Sequence, residues 1–128
     1  MEYYKKKEVD YSYEEALLKV EEELKKEGFG ILTEIDVKAT LKKKLDVDFN
    51  KYKILGACNP PLAHKALSVE NQIGTLLPCN VVVQENDEGK TVVSAINPRA
   101  MLSVANAPEL EEVANEVEEK FERVFENL

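Results

Sequence analysis

Two apolar runs joined by a short polar turn determine the first piece of structure that this chain must form. The run LLPCNVVVQ begins at Leu76, and the run TVVSAI covers Thr91–Ile96. Two neighbouring runs rich in β-branched residues, with Asn86–Gly89 between them, are typical of a β-hairpin. Pro78 stands near the start of the first run, where a strand tolerates a proline. The sequence therefore predicts two antiparallel strands that pair with each other.

Strand-like and helix-like segments alternate through the rest of the chain. Strands are predicted for residues 2–10, 29–35 and 52–58, and helices begin after Ser12, Asp36, Asn59, Asn97 and Asn106. The order β-α-β-α-β-α-β-β-α-α predicts an α+β domain of two layers, a mixed sheet of about five strands with helices packed mainly on one face. The length of 128 residues corresponds to a single domain, residues 1–128.

Side chains suited to helix caps stand before most of these helices. Ser12 and Glu15 form a capping box, and Asp36 can cap the second helix. Asn59 and Asn97 are each followed by proline, which suits the first helical position because the N–H there has no partner within the helix. The last helix is predicted to bury the apolar stripe Leu110, Val113, Val117, Phe121, Val124 and Leu128.

The net charge of −8 limits the kinds of partner that the protein can have. Binding to nucleic acid needs clustered Lys and Arg, and the only clusters here are Lys5–Lys7 and Lys42–Lys44. Both are interpreted as solvated edges of a strand and a helix. Because no run reaches the ~18 apolar residues of a membrane span and the N-terminus lacks an apolar signal region, we expect a cytoplasmic protein that binds neither nucleic acid nor membranes.

Several longer strings of the sequence also carry a family resemblance. The strings GFGILTEIDVKATLKKKLDVDF and YKILGACNPPLAHKAL, followed by IGTLLPCNVVV and VVSAINPRAML, resemble the domain-of-unknown-function family 302. The match runs from about Ser12 to Phe125, and its Cys-Asn-Pro-Pro and Pro-Cys-Asn elements are its most specific parts. The resemblance implies a small two-layer α/β domain that forms a homodimer, and it leaves the activity open.

Both cysteines and the only histidine lie between Tyr52 and Asn97. Cys58, His64 and Cys79 offer two thiolates and an imidazole, which are ligands that zinc and copper accept. Their spacing matches none of the standard patterns, in which cysteines stand about two to four residues apart. The helix start at Asn59 has free N–H groups that favour an anion, and His64 would lie one turn further on. We therefore place a candidate site for a small molecule or anion at Cys58-Asn59-Pro60-Pro61, and we assign no metal, cofactor or catalytic residue.

Asn80, next to Cys79, and Glu34, on the second strand, complete the candidate ligand-binding residues. Glu34 and Asp36 are spaced to share one face of a strand, where they could hold a cation or act as acid and base. The simpler interpretation makes Asp36 a helix cap and Glu34 a solvated residue. Asn59, Asn80 and Asn97 are interpreted mainly as caps or turns at the ends of elements.

The direction in which the third and fourth strands pair decides whether Cys58 and Cys79 can share a site. A helix between two strands usually makes a crossover between parallel neighbours, and the cysteines would then lie on the order of 15 Å apart. Antiparallel pairing would bring them close together. We expect the parallel arrangement, which makes both residues buried structural thiols instead of a shared metal site or a reactive pair.

Three kinds of function remain open. The first is a small non-enzymatic binding module for a ligand or a metal, with its site at the helix start after Cys58. The second is a thiol-dependent enzyme that uses Cys58 or Cys79 with His64 as base. The third is a structural domain that dimerises through an apolar sheet face or through the last helix. We favour the binding module.

Overall fold

The computed structural model describes residues 2–128, which form one sheet, five α-helices and one short 3-10 helix. The strands are β1 (Tyr4–Val9), β2 (Gly30–Asp36), β3 (Tyr52–Cys58), β4 (Cys79–Glu85) and β5 (Thr91–Ile96). The α-helices are α1 (Tyr13–Lys26), α2 (Val37–Leu45), α3 (Pro60–Val69), α4 (Pro98–Ser103) and α5 (Leu110–Glu126), and the 3-10 helix is Asn71–Thr75. The predicted order of strands and helices is confirmed, with the 3-10 helix as an addition before β4. Among residues 2–128 no helix has the length and the apolar composition that a membrane span requires.

The sheet has the strand order β1-β5-β4-β3-β2, and every neighbouring pair is antiparallel. The α+β architecture of two layers is confirmed, but the mixed sheet is wrong, and so is the parallel crossover expected between β3 and β4. The strands β3 and β4 are antiparallel because the segment that joins them, α3 and the 3-10 helix, returns the chain to the end of the sheet at which β3 ends. A helix between two strands therefore does not require a crossover.

The helices α1 and α5, with α3 and α4 packed against α5, cover one face of the sheet, whereas α2 contacts β2 and β3 and has no buried residue. Along β5 the residues Thr91, Val93 and Ala95 are buried, while the residues between them are only half-buried. On this covered face α1 lies against β2, β4 and β5, and α5 packs against α1, α3 and α4. The predicted stripe of the last helix is confirmed, since its buried members are Leu110, Val113, Val117, Phe121 and Val124, with Leu128 half-buried.

The side chains predicted to cap the N-termini of helices make the expected hydrogen bonds. Ser12 Oγ accepts a hydrogen bond from Glu15 N at 3.1 Å, and Asp36 Oδ1 accepts one from Ala39 N at 2.9 Å. Asn97 caps α4 in the same way. Each cap satisfies a backbone N–H that has no partner within its helix. The local sequence is thus sufficient to begin these helices.

The strand β2 is irregular at Leu32. Ile31 pairs with Ala57 and Thr33 pairs with Gly56, so Leu32 is left out of the ladder as a bulge. The alternation predicted for residues 29–35 therefore changes face at this point. Gly56 leaves room for two neighbouring side chains, because a Cβ there would overlap the Thr33 hydroxyl and would stand 2.8 Å from Pro78 Cγ.

The lysine cluster on β1 is not wholly solvated as predicted. Lys7 Nζ donates hydrogen bonds to the carbonyl oxygens of Phe125 at 2.8 Å and Leu128 at 2.9 Å. These carbonyls lie at the C-terminal end of α5, where a cation stabilises groups that lack a partner within the helix. Lys7 therefore fastens the last helix to the edge of the sheet. The second cluster, Lys42–Lys44 on α2, is exposed as expected.

Candidate functional site

The corner where β3 ends and α3 begins is held by Asn59. Its Oδ1 accepts a hydrogen bond from Leu62 N at 3.4 Å, and its Nδ2 donates one to the carbonyl oxygen of Glu27 at 3.2 Å. Pro60 follows at the first position of α3, as predicted. Gly28 lies beside the amide with a φ of +85°, and a Cβ there would stand 3.1 Å from Asn59 Nδ2. The buried amide thus joins the turn after α1 to the start of α3.

The two cysteines lie at the same end of the sheet. Cys79 pairs with Ala57, the neighbour of Cys58 along β3. The expectation that the cysteines lie far apart is therefore wrong, because it followed from parallel pairing of β3 and β4. Both thiols are free. Cys58 is half-buried, whereas Cys79 is buried.

Burial has a chemical consequence for Cys79. Desolvation, with a smaller contribution from the charge of Cys58, raises the pKa of Cys79 to about 12. Taking a thiolate out of water disfavours the charged form. Cys79 is therefore a protonated thiol at neutral pH, which makes it a weak nucleophile and a weak metal ligand.

A cavity of about 290 Å³ opens between this end of the sheet and the helices. The strand ends contribute Phe29, Leu32, Ala57, Cys58 and Cys79 to its wall. The helices contribute Leu62, Ala66, Met101, Leu102, Val113 and Val117. No charged side chain of residues 2–128 lines it. Apart from the amide of Asn59 and the thiols of Cys58 and Cys79, the side chains that line the cavity are apolar.

The amide of Asn59 in this wall already makes one hydrogen bond through its nitrogen and one through its oxygen. Asn59 lines the cavity, but its oxygen is used by Leu62 N and its nitrogen by the Glu27 carbonyl. Leu32 and Leu67 line the cavity while remaining 69% and 40% exposed, so they lie at its mouth. A molecule that enters would exchange water for apolar contacts and would find no charged partner.

The structure brings together three of the six predicted site residues. Cys58, Asn59 and Cys79 line the cavity. His64 does not, because Leu62 and Ala66 face the core and a residue two positions from each lies on the opposite side of the helix. Its side chain is exposed.

Asn80 and Glu34 also lie away from the cavity. Asn80 follows Cys79 on β4 and therefore points to the other face of the sheet, where it is exposed. Glu34 is exposed on the edge strand β2. Within residues 2–128 no group of three or more His, Cys, Asp or Glu side chains is placed to hold a metal ion. The remaining polar residues thus do not converge on one point.

Sequence reasoning missed most of the cavity wall. The residues it did not name include Leu32, Leu67, Gly74, Leu77 and Met101. They come from β2, α3, the 3-10 helix with the segment after it, and α4. The position of Leu32 could have indicated the cavity, since Leu32 is apolar but alternates out of step with the other apolar residues of its strand. The others are indistinguishable in sequence from ordinary core residues.

Comparison with known proteins identifies the family. The model of the domain of unknown function DUF302 matches residues 5–128. The crystal structure of an uncharacterized conserved DUF302 protein from Bacillus stearothermophilus has a TM-score of 0.92 to this structure at 30% sequence identity, and the match covers 99% of this chain and 98% of that one. No curated protein matches. The resemblance seen in the sequence is confirmed, and the chain belongs to the DUF302 family.

Proposed function

We propose that this protein is a non-enzymatic binding module whose ligand is a small, uncharged and apolar molecule. The observation that carries the proposal is the apolar cavity of about 290 Å³ beside Cys58 and Cys79. Ligand sites are commonly clefts of about 300 to 1,000 Å³ with mainly apolar walls, so this cavity stands at the small end of that range. A ligand of the size of a substituted bicyclic aromatic or a short acyl chain fits it best.

The character of the wall supports an uncharged ligand. A charged group brought into an apolar cavity loses its hydration, and no lining side chain of opposite charge would compensate for that loss. A metal ion is a weaker candidate, because Cys58 and Cys79 are the lining groups with metal-binding chemistry and a structural zinc site uses about four ligands. An apolar ligand needs only the contacts that the wall already offers.

The same observations disfavour the thiol-dependent enzyme. Cys79 is buried and its pKa is raised to about 12, so it supplies little thiolate at neutral pH. Cys58 is closer to solvent, but the proposed base, His64, lies on the exposed side of α3.

We also propose a cytoplasmic location, which two free cysteines at one end of the sheet support, since such thiols persist in reducing compartments. Cell fractionation that finds the protein outside the cytoplasm would overturn this location.

Titration with N-phenyl-1-naphthylamine, an uncharged apolar fluorophore, tests the binding proposal. We expect saturable binding to the native protein with one site per chain. Gly74→Leu should weaken binding at least tenfold, because Gly74 lines the cavity and a Cβ there would meet only Leu67 Cδ2, at 3.9 Å. The larger side chain would occupy space that the probe needs.

Gly30→Leu is the matched control for this substitution. It introduces the same side chain at an exposed glycine where a Cβ meets no atom within 4 Å and which does not line the cavity. Binding by Gly30→Leu should equal that of the native protein. Absence of saturable binding to the native protein, or equal binding by both variants, would refute the proposal.

A further inference from the structure

The outer edge of β2 has no partner strand among residues 2–128. β2 is the last strand of the sheet and pairs with β3 alone, and all of its residues except Ile31 are exposed. The helices α1 and α2 contact β2, but each also contacts a strand further inside the sheet, β4 for α1 and β3 for α2, so neither lies along the outer edge. The outward N–H and C=O groups of β2 are therefore open to a further strand.

The two edges of the sheet differ in how they are protected from further pairing. Proteins usually protect an exposed edge with lysines, with prolines or with a covering segment. At the other edge, β1 carries Lys5–Lys7, and Lys7 holds the end of α5 beside it. β2 contains no lysine and no proline, and its protection is limited to the bulge at Leu32 and two carboxylates. The straight part of β2, residues 33–36, is thus able to accept another strand.

Large apolar side chains are exposed on β2 and in the segment that follows it. Leu32 and Ile35 are exposed on the strand itself. Leu45, Val47 and Phe49 are exposed at the end of α2 and just after it, and no residue of α2 is buried. Exposed apolar side chains that occur together are typical of a surface that meets a partner. This segment therefore offers apolar contacts as well as an unpaired strand.

Residues 30–53 also carry a charge opposite to that of the rest of the chain. They contain six lysines and four acidic residues, a net charge of +2, whereas the whole chain has −8. The remaining residues therefore carry −10. Lys43 and Lys44 on α2 are exposed and form no ion pair within the part of the chain that the structure describes. Because α2 begins at the residue after β2 ends, these lysines lie near the outer strand.

We infer that β2 binds an extended acidic peptide of a partner protein, which adds to the sheet as a sixth strand. Main-chain hydrogen bonds supply the affinity of such a complex, and alternate side chains supply its specificity. The lysines of α2 favour carboxylates in the peptide, and the exposed apolar residues favour a peptide in which apolar side chains alternate with them. An anionic membrane also suits lysines and apolar residues, but lipids cannot extend the hydrogen-bond ladder of β2.

Fluorescence anisotropy with a labelled peptide tests this inference. The probe is a capped peptide of roughly eight residues that alternates glutamate and valine, a length that spans β2. It should bind the native protein saturably, and the same peptide with lysine in place of glutamate should bind about tenfold more weakly or less. Of two peptides N-methylated at every valine or at every glutamate, one should lose binding, because alternate N–H groups face β2. Amide hydrogen exchange in β2 should slow when the unmodified peptide is bound.

Two double charge reversals on the protein provide a matched comparison. Lys43→Glu with Lys44→Glu should weaken binding of the acidic peptide about tenfold at physiological salt. Lys6→Glu with Lys90→Glu makes the same change in net charge at exposed lysines on β1 and in the turn before β5, and it should leave binding unchanged. Gly74→Leu, which fills part of the cavity, should also bind the peptide as the native protein does. The result is therefore separate from ligand binding in the cavity.

Circular dichroism checks that each variant folds before its binding is compared. Absence of saturable binding of the acidic peptide, or equal weakening by the two double variants, would overturn the inference. Binding to phosphatidylserine vesicles in place of the peptide would do so as well. A self-associated form in which β2 already pairs with a second copy and excludes the peptide would also contradict it.

Discussion

Replacing Asn59 with alanine should destabilise the fold by about 2–3 kcal/mol. The loss of the cap on α3 contributes about 1 kcal/mol. The Glu27 carbonyl loses the hydrogen bond that Asn59 Nδ2 donates at 3.2 Å, and an unsatisfied buried acceptor costs about 1–2 kcal/mol. Because Asn59 is only 9% exposed, water cannot readily replace either partner. Urea unfolding followed by circular dichroism measures the difference, provided that the m-value is unchanged.

Asn97→Ala is the comparison that isolates the effect of burial. Asn97 makes similar bonds, accepting from Arg99 N at 3.0 Å and from Ala100 N at 3.4 Å and donating to the Glu2 carbonyl at 2.9 Å, but two of these three bonds are exposed and the third is only partly buried. Water can satisfy the groups that this substitution frees, so we expect a loss of about 1 kcal/mol. Equal losses for the two variants, or a loss below about 0.5 kcal/mol for Asn59→Ala, would show that burial of the Asn59 amide does not add to the stability of the fold.

Three further substitutions test the close contact at Gly56, the buried thiol of Cys79 and the contact between Lys7 and the end of α5. Gly56→Ala should destabilise the protein by about 1–3 kcal/mol in urea, because its Cβ overlaps the Thr33 hydroxyl, and adding Thr33→Ala should restore part of the loss. Between pH 9.0 and about 12 the native protein should lose stability relative to Cys79→Ala, by at most ~1.4 kcal/mol per pH unit. In this range the thiol of the unfolded chain releases its proton, while the thiol of the folded protein keeps it. Parallel profiles of stability against pH for the two proteins would contradict the raised pKa of Cys79. Lys7→Met should cost about 1 kcal/mol in urea unfolding, since it removes the donor to the carbonyl oxygens of Phe125, in the last turn of α5, and of Leu128, just beyond it. An unchanged stability would show that this contact contributes nothing.

Local chemistry made the elements of this fold predictable. Ser12, Asp36 and Asn97 cap helices through bonds to residues two or three positions away, so a short window of sequence contains all the information. The hairpin of β4 and β5 was predictable for the same reason. Asn86 Oδ1 accepts from the backbone N–H groups of Glu88 and Lys90, which is a turn that the residue types alone favour.

Long-range arrangement could not be predicted in the same way. The direction of β4 beside β3 depends on the path of the connection through α3 and the 3-10 helix, and no side chain in that connection determines it locally. This one misassignment also separated Cys58 from Cys79 and thereby hid the cavity between them. The exposed position of His64 was accessible to sequence reasoning, because Leu62 and Ala66 mark the inner side of α3.

Xenon under pressure is the sharpest probe of whether one end of the sheet encloses an apolar space that accepts a ligand. Apolar cavities bind xenon and stay free of ordered water. Crystals of the native protein under xenon should show an anomalous density peak between Leu62, Met101 and Val117, and crystals of Gly74→Leu should show a weaker one. A chain of ordered water molecules in this space, or its occupation by neighbouring side chains without xenon, would show that it is not an apolar ligand site.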